Sequence, residues 1–536
     1  EQVQQEIERV AAVTRVPLID LNRPLYNRPD LFPDALHPTT EGAGIIARTV
    51  YGAITGDYGG LQMPEIFTDH MVMQRNRPVK FWGTADAATK VTVCFAGKTS
   101  TAQTGHNGKW TVEFPPMKAG GPYNATIENQ GRSIRLTDIL VGEEGICSGQ
   151  SNMAFRLQDA STAQKDIPRA ANRQLRLFDM NEIAPTVAIE GNDNVLAEEN
   201  RLGYYRPAAW ALSDSLTARQ FSAVAYYFGR MLQEELNVPI GLIQNAIGGS
   251  PTEAWIDRRT MERDPLMADF FTNWNSNDFI DGWVRERGMQ NIARAKENPL
   301  QQHPYKPSYL FEAGMASISK YPVAGAIWYQ GESNANNVEL HEQLLPILVE
   351  SWRNAWEERF PFYYVQLSSM ETGRESWGHF RDSQRRLMER IPRSGMVVSS
   401  DLGNRTDVHP RQKKEVGERL ARWALADSYG KNILKSGPLF REVFFEKEKA
   451  VVTFSETKLL RTSDNNAVRN IELAGEDKVF YQAKAMIRAN RLEVTCEKVS
   501  RPAFVRYGWD SYTEGNLVNE AGLPASTFSS EFQDKK

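Results

Sequence analysis

The pattern of hydrophobic and polar positions changes twice along the chain. Short segments rich in β-forming residues, separated by turns such as Asn107-Gly108, run from about residue 61 to 138 and return after Ser428. This pattern predicts antiparallel strands. Between them, continuous apolar runs such as 238–243 and 362–367 alternate with stretches long enough for helices. Buried strands that alternate with helices indicate a parallel sheet with helices on both faces.

These changes divide the chain into four predicted regions. Residues 1–60 contain a short predicted strand at 16–22 and a predicted helix at 39–54. The other three regions are a β-sandwich at 61–138, an α/β domain at 139–430 with a polar helical excursion at 257–310, and a β-rich domain at 431–536. A functional site in such an α/β domain is expected at the carboxyl ends of the parallel strands.

Four polar blocks stand out in the α/β region. The first, C-S-G-Q-S-N-M, follows the apolar run 139–141 and places Ser151 after a glycine; the others are G-G-S at 248–250, Q-G-E-S-N at 330–334 and D-V-H-P at 407–410. A serine at a strand-to-helix turn exposes its hydroxyl beside backbone N–H groups, which is what acyl transfer requires. Alone, the first block is equally typical of an ordinary turn.

Composition narrows the classes of function. The 536 residues carry a net charge of −4, with 24% charged and 41% hydrophobic residues. Nucleic acid is not an expected partner, because no basic run of the kind that follows phosphates is present. No stretch approaches the roughly 20 apolar residues of a membrane-spanning helix. The cysteines predict neither a disulfide framework nor a zinc cluster, and without G-x-G-x-x-G or P-loop motifs neither a metal nor a cofactor is expected.

In this order, the four blocks resemble those of the SGNH (GDSL-like) hydrolases. Within that superfamily, C-S-G-Q-S-N-M, W-Y-Q-G-E-S-N and D-V-H-P are similar to the sialate O-acetylesterase family. The resemblance implies a three-layer α/β/α catalytic domain with accessory β-sandwich domains. It also implies a serine esterase that removes O-acetyl groups from sialic acids. Acetylated xylan or another polysaccharide is the alternative substrate, and an inactive glycan-binding protein is the alternative class.

The resemblance assigns the reacting groups to individual residues. Ser151 is the expected nucleophile and His409 the general base that a serine hydroxyl needs. Many SGNH enzymes have an aspartate three residues before the histidine, where this chain has Thr406. Asp407 is therefore the expected acid that orients the imidazole, with Asp401 or a Ser–His dyad as alternatives.

The resemblance also implies three donors to the oxyanion of the tetrahedral intermediate. They are the N–H of the nucleophile itself, the N–H of Gly249 or its neighbour Gly248, and the side chain of Asn334. Gln330 and Glu332 flank the same turn as Asn334, and we expect them to bind substrate or to support residues that do.

Residues 1–60 resemble the carboxyl end of another SGNH domain. That domain would use Asp34 and His37 only in a longer protein, and here the pair is expected to form an inactive turn before a helix. The chain opens at Glu1 with neither a Met nor a signal sequence. From the resemblance we expect an exported bacterial protein, periplasmic or extracellular. The oligomeric state and the acetyl position that is cleaved are left open.

Overall fold

The amino-terminal segment is helical in the computed structural model, which describes residues 2–34, 36–271 and 273–532. Helix α1 (Gln2–Thr14) is followed by short 3₁₀ turns and by α2 (Thr40–Thr55). Thr39 begins α2 by accepting a hydrogen bond from the N–H of Gly42, and Gly56 ends it in the left-handed conformation. The strand predicted at 16–22 is wrong. Those residues form no ladder with another described strand, and an unpaired strand is not stable in water.

A β region follows, in which two sheets share one core. Its strands are β1 (Val72–Gln74), β2 (Val79–Thr84), β3 (Lys90–Phe95), β4 (Lys98–Gln103), β5 (Lys109–Phe114), β6 (Gly120–Asn129) and β7 (Arg132–Gly149). β2 pairs with β5, whereas β3, β4 and β6 belong to the sheet that contains β7. Phe81, Phe95 and Phe114 from both sheets meet edge to face between them. Alternating buried residues in β3 and β5 supply this core.

The next region alternates helices and strands. Its elements are α3 (Ser151–Ala154), α4 (Ala163–Asp166), β8 (Asn172–Asp179), α5 (Asp193–Asn200), β9 (Trp210–Ser213), α6 (Thr217–Gln220), α7 (Ala223–Leu236), β10 (Ile240–Ala246), α8 (Arg258–Arg263), α9 (Gly282–Asn291), α10 (Ala316–Ile318), β11 (Gly325–Tyr329), α11 (Val338–Ala355), β12 (Phe362–Val365), α12 (Ser376–Arg390), β13 (Ser394–Val397) and α13 (Lys414–Trp423). The central sheet has the order β13-β12-β11-β7-β10-β8-β9. Its pairs are parallel except for β8 with β9 at the edge.

Helices cover both faces of this sheet. Trp328 of β11 packs against Trp352 of α11 on one face, while its neighbour Ile327 joins the cluster formed by α7 and α13 on the other. Successive residues of a strand point to opposite faces, so a strand covered on both sides is expected to be mostly apolar. β10 and β12 are buried at every residue. The predicted α/β class, with a parallel sheet between two helical layers and accessory β regions, is confirmed.

Strand β7 connects the β region to the central sheet. It pairs antiparallel with β6 and then runs parallel to β10 and β11, so the boundary predicted at residue 138 falls inside one continuous strand. Its last residue, Gly149, lies opposite Ala246 of β10 and Tyr329 of β11. Three strands therefore end side by side, and the turns that follow them meet at one edge of the sheet.

The carboxyl-terminal region is made of antiparallel strands. They are β14 (Leu439–Glu446), β15 (Lys449–Ser455), β16 (Arg461–Thr462), β17 (Ile471–Ala474), β18 (Tyr481–Gln482), β19 (Lys484–Arg488), β20 (Arg491–Thr495), β21 (Phe504–Tyr507), β22 (Leu517–Val518) and β23 (Phe528–Ser529). The buried Arg381 of α12 donates to the carbonyl of Gly508 at 2.7 Å, and the N–H of Met370 donates to Ser511 at 3.0 Å. This region therefore supports the loop after β12. Across the described ranges, no helix has the length and apolarity needed to span a bilayer.

Candidate active site

A cavity of about 680 Å³ opens at the carboxyl edge of the central sheet. The segments after five parallel strands (β7, β8, β10, β11 and β12) contribute to its wall, together with the loop that carries His409. The residues that line it are Gln150, Ser151, Glu182, Pro185, Thr186, Val187, Gly248, Gly249, Trp283, Arg287, Tyr305, Glu332, Met370, Thr372, Gly373, Arg374, Trp377, Val408 and His409. Ser151, Gly249, Glu332 and His409, predicted from separate blocks, thus lie around one space.

Ser151 occupies the turn between β7 and α3. Gly149 precedes this turn with φ of +142°, and a Cβ there would lie 2.2 Å from the carbonyl oxygen of Tyr329. Only glycine therefore allows β7 and β11 to approach so closely before the chain turns. Ser151 is the first residue of α3 and is partly exposed to the cavity. Its N–H has no acceptor in the described part of the chain, so both its hydroxyl and its amide can meet a substrate.

The glycine turn after β10 is held by two hydroxyl groups. Thr186 Oγ1 and Tyr305 Oη donate to the carbonyl oxygen of Gly248 at 2.6 and 2.8 Å. In a trans peptide the following N–H points the opposite way, so these bonds also fix the N–H of Gly249. That N–H bonds to no described acceptor. A Cβ built on Gly248 would lie 4.0 Å from the Cβ of Ser151, which places the turn beside the nucleophile.

Gly249 is suited to this position by its conformation. Its φ is +71°, and an added Cβ would lie 2.2 Å from Tyr305 Oη. Both observations require glycine. A free, rigidly oriented N–H next to a serine is the geometry that stabilises an oxyanion.

His409 faces the same cavity with its base nitrogen free. Nε2 is buried and has no hydrogen-bond partner among the described residues. No hydrogen bond joins it to Ser151, and catalytic hydrogen bonds are commonly long until substrate is bound. Asp407 accepts a hydrogen bond at 2.8 Å from the backbone N–H of His409, and the same oxygen lies 3.8 Å from the ring Nδ1. That separation exceeds a hydrogen bond, so Asp407 acts on the ring through its charge.

Asp401, the alternative acid, is engaged elsewhere. Both of its carboxylate oxygens accept hydrogen bonds from Arg419 at 2.7 Å. A bidentate pair of this kind holds the carboxylate in a fixed direction. The structure therefore brings Asp407, and not Asp401, to the imidazole.

A buried polar cluster joins three of the blocks beneath the cavity. Asn152 Nδ2 donates to Glu332 Oε1 at 2.6 Å and to the carbonyl of Val408 at 3.0 Å, while Asn152 Oδ1 accepts from Lys413 Nζ. Asn152, which follows the nucleophile in the chain, thus holds the carbonyl of Val408, the residue before His409. Glu332 lines the cavity, and its Oε2 is buried without a hydrogen-bond partner within the described ranges.

Burial shifts the pKa values of this cluster. It raises the pKa of Glu332, and it lowers the pKa of Lys413 to about 7 against the opposing charges of Glu332 and Asp407. Burial and then the charge of Lys413 lower the pKa of His409, with Asp407 opposing both. The imidazole is therefore kept neutral, the form in which it can accept a proton.

Gln330 and Asn334 lie behind the cavity wall rather than on it. Gln330 Oε1 accepts from Thr252 Oγ1, and its Nε2 donates to Asn334 Oδ1, both at 2.7 Å. Asn334 Nδ2 donates to the buried carboxylate of Glu253 at 3.0 Å. These bonds fix the turn after β11. The amide of Asn334 is engaged by these bonds and Asn334 is not among the residues that line the cavity, so its role as an oxyanion donor stays a prediction.

Asp34 and His37 form a surface pair outside the cavity. His37 Nδ1 lies 2.7 Å from Asp34 Oδ2, and both side chains are exposed. Hydrogen bonds from His37, led by its backbone N–H, lower the pKa of Asp34 to about 2. Their use in a second site stays a prediction. Within the described ranges, no group of three or more His, Cys, Asp or Glu side chains is arranged to hold a metal ion.

Sequence reasoning missed Asn152 and Lys413. Asn152 stands inside the C-S-G-Q-S-N-M block, directly after the nucleophile, and that position was its only signal. Lys413 lies in the polar run R-Q-K-K, which is typical of an exposed surface, yet it is 1% exposed. Its packing over the rings of Phe155 and Tyr329 explains the burial.

Replacing Asn152 with alanine is expected to weaken both the fold and the reaction. The change leaves Lys413 and Glu332 buried without their shared partner, which costs about 3 kcal/mol, and it releases the peptide before His409. We expect a lower midpoint of thermal unfolding and a lower kcat. The exposed Asn336→Ala is the matched control. An unchanged midpoint in Asn152→Ala would show that the cluster does not hold the site.

Comparison with known proteins identifies a matching family model and several relatives. A family model described as "Carbohydrate esterase, sialic acid-specific acetylesterase" matches residues 287–426. The sialate O-acetylesterase of Rattus norvegicus is 30% identical over 467 residues, which cover 78% of this chain and 83% of the relative. That of Homo sapiens is 28% identical over 512 residues, or 88% and 92% of the two chains.

A solved structure shares the whole architecture. The crystal structure of a carbohydrate acetylesterase from Xanthomonas citri superposes with a TM-score of 0.74 at 29% identity. The match covers 89% of this chain and 100% of that one. Taken with the identity to the rat enzyme, it leads to one conclusion: the chain is an esterase and belongs to the sialate O-acetylesterase family.

Proposed function

We propose that the chain hydrolyses O-acetyl esters of sialic acids, as an SGNH-type serine esterase with an acetyl-enzyme on Ser151. The observation that carries the mechanism is the meeting of three groups in one cavity. They are the hydroxyl of Ser151, the free N–H of Gly249 and the unpartnered Nε2 of His409. Nucleophile, oxyanion donor and base are the groups that acyl transfer requires.

In the first half of the reaction, Ser151 Oγ attacks the acetyl carbonyl and His409 Nε2 accepts the hydroxyl proton. The oxyanion is bound by the N–H groups of Ser151 and Gly249, each of which contributes about 3 kcal/mol to the transition state. As the C–O bond to the sugar breaks, His409 returns the proton to the departing sugar oxygen. The charge of Asp407, 3.8 Å from Nδ1, stabilises the imidazolium between these steps.

In the second half, water attacks the acetyl ester of Ser151 while His409 removes its proton. Collapse of the second tetrahedral intermediate releases acetate and restores the serine. Both halves of the reaction use the N–H groups of Ser151 and Gly249 as oxyanion donors, so the rigid turn at 248–249 serves both.

The substrate is inferred from the relatives and from the shape of the site. The family model and the mammalian relatives are named for sialic acid or sialate, and a cavity of about 680 Å³ has room for a monosaccharide. Its wall combines the apolar face of Trp283 with two guanidinium groups. Export to the periplasm or the extracellular space is part of the same proposal and rests on the resemblance alone.

A side-by-side measurement of acetate release tests the substrate. The purified chain is given O-acetylated N-acetylneuraminic acid and acetylated xylan at matched acetyl concentration. We expect a higher kcat/KM on the sialic acid. Preference for xylan would keep the mechanism and overturn the substrate, and binding of either glycan without turnover would contradict the mechanism.

The pH dependence of kcat/KM should reflect the lowered pKa of His409. Protonated imidazole cannot accept the serine proton, so activity is present above this pKa and is lost as the pH falls through it. Because burial and Lys413 lower the pKa below 6.5, the acid limb is expected below pH 6.5. Lys413→Met removes a cation, raises the pKa of His409 and should move the limb to higher pH. Lys414→Met, next in the chain and paired with Glu418, should leave it in place. A limb that moves to lower pH in Lys413→Met would contradict the assignment.

A further inference from the structure

Arg287 is a cavity residue without a carboxylate partner. It lies on α9 one turn after Trp283, and both side chains line the cavity. Its Nη1 donates to the carbonyl of Thr186 at 3.1 Å. In the described ranges, no Asp or Glu oxygen lies within ion-pair distance of this guanidinium, and its other N–H groups have no acceptor.

Two other arginines of this region are paired with carboxylates. Arg374, which also lines the cavity, pairs with Asp281 at 3.3 Å and donates to the carbonyl of Glu332 at 2.9 Å. Arg285, on the same helix as Arg287, pairs with Asp278 at 3.2 Å. Arg287 differs from these two because its guanidinium lines the cavity without an ion pair in the described ranges, and an anion that binds there would stabilise this partly buried charge.

Arg287 also lies beside the reacting centre. Its acceptor residue, Thr186, holds the carbonyl of Gly248 through its own hydroxyl. The ring of Trp283 approaches to 3.1 Å from a Cβ built on Gly249. A sugar whose acetyl carbonyl rests on the N–H of Gly249 can therefore contact the indole of Trp283, and Arg287 lines the same cavity.

We propose that Arg287 binds the carboxylate of the sialic acid and so selects acidic over neutral acetylated sugars. This inference rests on the proposed function. The guanidinium presents parallel N–H donors that match the two oxygens of a carboxylate. Arg287 is a specificity residue and takes no part in the proton transfers of Ser151 and His409.

The test uses Arg287→Gln on three substrates: O-acetylated N-acetylneuraminic acid, its methyl ester, and p-nitrophenyl acetate. Hydrogen bonds to a charged group contribute about 1.5–3 kcal/mol, so kcat/KM on the free acid should fall about 10- to 100-fold, mainly through KM. The methyl ester should already be the poorer substrate of the unmodified chain and should change little in the variant. Hydrolysis of p-nitrophenyl acetate should be unchanged, which shows that the catalytic groups are intact.

Two further variants complete the design. Arg287→Lys keeps the positive charge but lacks the parallel N–H donors of the guanidinium. It should recover part of the kcat/KM on the free acid that Arg287→Gln loses. Arg294→Gln removes the same charge from an exposed residue that pairs with Glu190 outside the cavity, and should change none of the three activities.

The outcomes separate this inference from the proposed function. If the unmodified chain hydrolyses p-nitrophenyl acetate but not the acetylated sialic acid, the proposed substrate fails. If it hydrolyses acid and methyl ester equally well, or if Arg287→Gln lowers both to the same extent, the substrate stands and the role of Arg287 is overturned. The comparison of acid with methyl ester on the unmodified chain decides this even where a variant folds poorly.

Discussion

Ser151→Ala is expected to lower the rate of acetate release by about 10⁴- to 10⁶-fold, because the oxyanion donors remain but no acetyl-enzyme can form. Ser151 opens α3 two residues after Gly149 and is partly exposed to the cavity. The smaller side chain creates no buried cavity there, so the midpoint of thermal unfolding should stay unchanged. KM should change little, because the sugar-binding wall is untouched.

The control for this variant is Ser319→Ala. Ser319 is not among the residues that line the cavity and donates to the carbonyl of Ala316, and its loss should leave acetate release intact. Ser151→Ala that retained more than about a tenth of the activity would be incompatible with an acetyl-enzyme on this residue.

His409→Asn is expected to lower kcat by about 10³- to 10⁵-fold. The variant keeps a polar side chain of similar reach but cannot accept and return a proton. Nε2 of His409 has no other bond in the described part of the chain, so its loss removes a base and breaks no structural contact of that nitrogen. Added imidazole should restore part of the activity, since a small base can enter a cavity of about 680 Å³.

Asp407→Asn is the matched comparison. Its carboxylate lies 3.8 Å from Nδ1 and is exposed to solvent, where charge interactions are weak, so we expect a loss of about tenfold. Equal losses in His409→Asn and Asp407→Asn would show that the two act as one hydrogen-bonded unit and would contradict the looser geometry described here. A His409→Asn variant as active as the unmodified chain would exclude this residue as the base.

The sequence predicted the convergence of the site because its signals were local. The glycines before Ser151 and within the turn at Gly249 are needed by the backbone at their own positions. Each block follows an apolar strand, and parallel strands end at one edge of a sheet. Chain order and strand pattern therefore predicted that the four blocks meet at one edge of the sheet, whereas the family resemblance assigned Ser151, Gly249 and His409 within them.

Features that depend on long-range packing could not be predicted in the same way. Lys413 looked like a surface residue, and its contact with Asn152 joins positions 261 residues apart. The hydrogen bond of Asn334 to Glu253 depends on the conformation of the loop after β10, which no local pattern describes. The strand expected at 16–22 had suitable residues and no partner, and pairing, not composition, decides whether a strand forms.

The continuity of β7 has a similar origin. A change in the pattern of hydrophobic and polar positions near residue 138 indicated a boundary between regions. However, β7, a single strand of 18 residues, belongs to both the β region and the central sheet. The β region and the central sheet therefore share strand β7, and Ser151 follows the end of that strand. Likewise, the contacts of Met370 and Arg381 with residues 508–511 connect the carboxyl-terminal strands to the cavity wall.

Covalent labelling tests whether Ser151 is the nucleophile of this cavity. The chain is incubated with a fluorophosphonate that reacts with activated serines, with and without O-acetylated N-acetylneuraminic acid, and the modified peptide is identified by mass spectrometry. We expect one label on Ser151 and loss of esterase activity in step with labelling. Labelling should be slower in the presence of the sugar and should be slight in His409→Asn. Label on another serine, or activity that survives complete modification of Ser151, would contradict the assignment of Ser151 as the nucleophile.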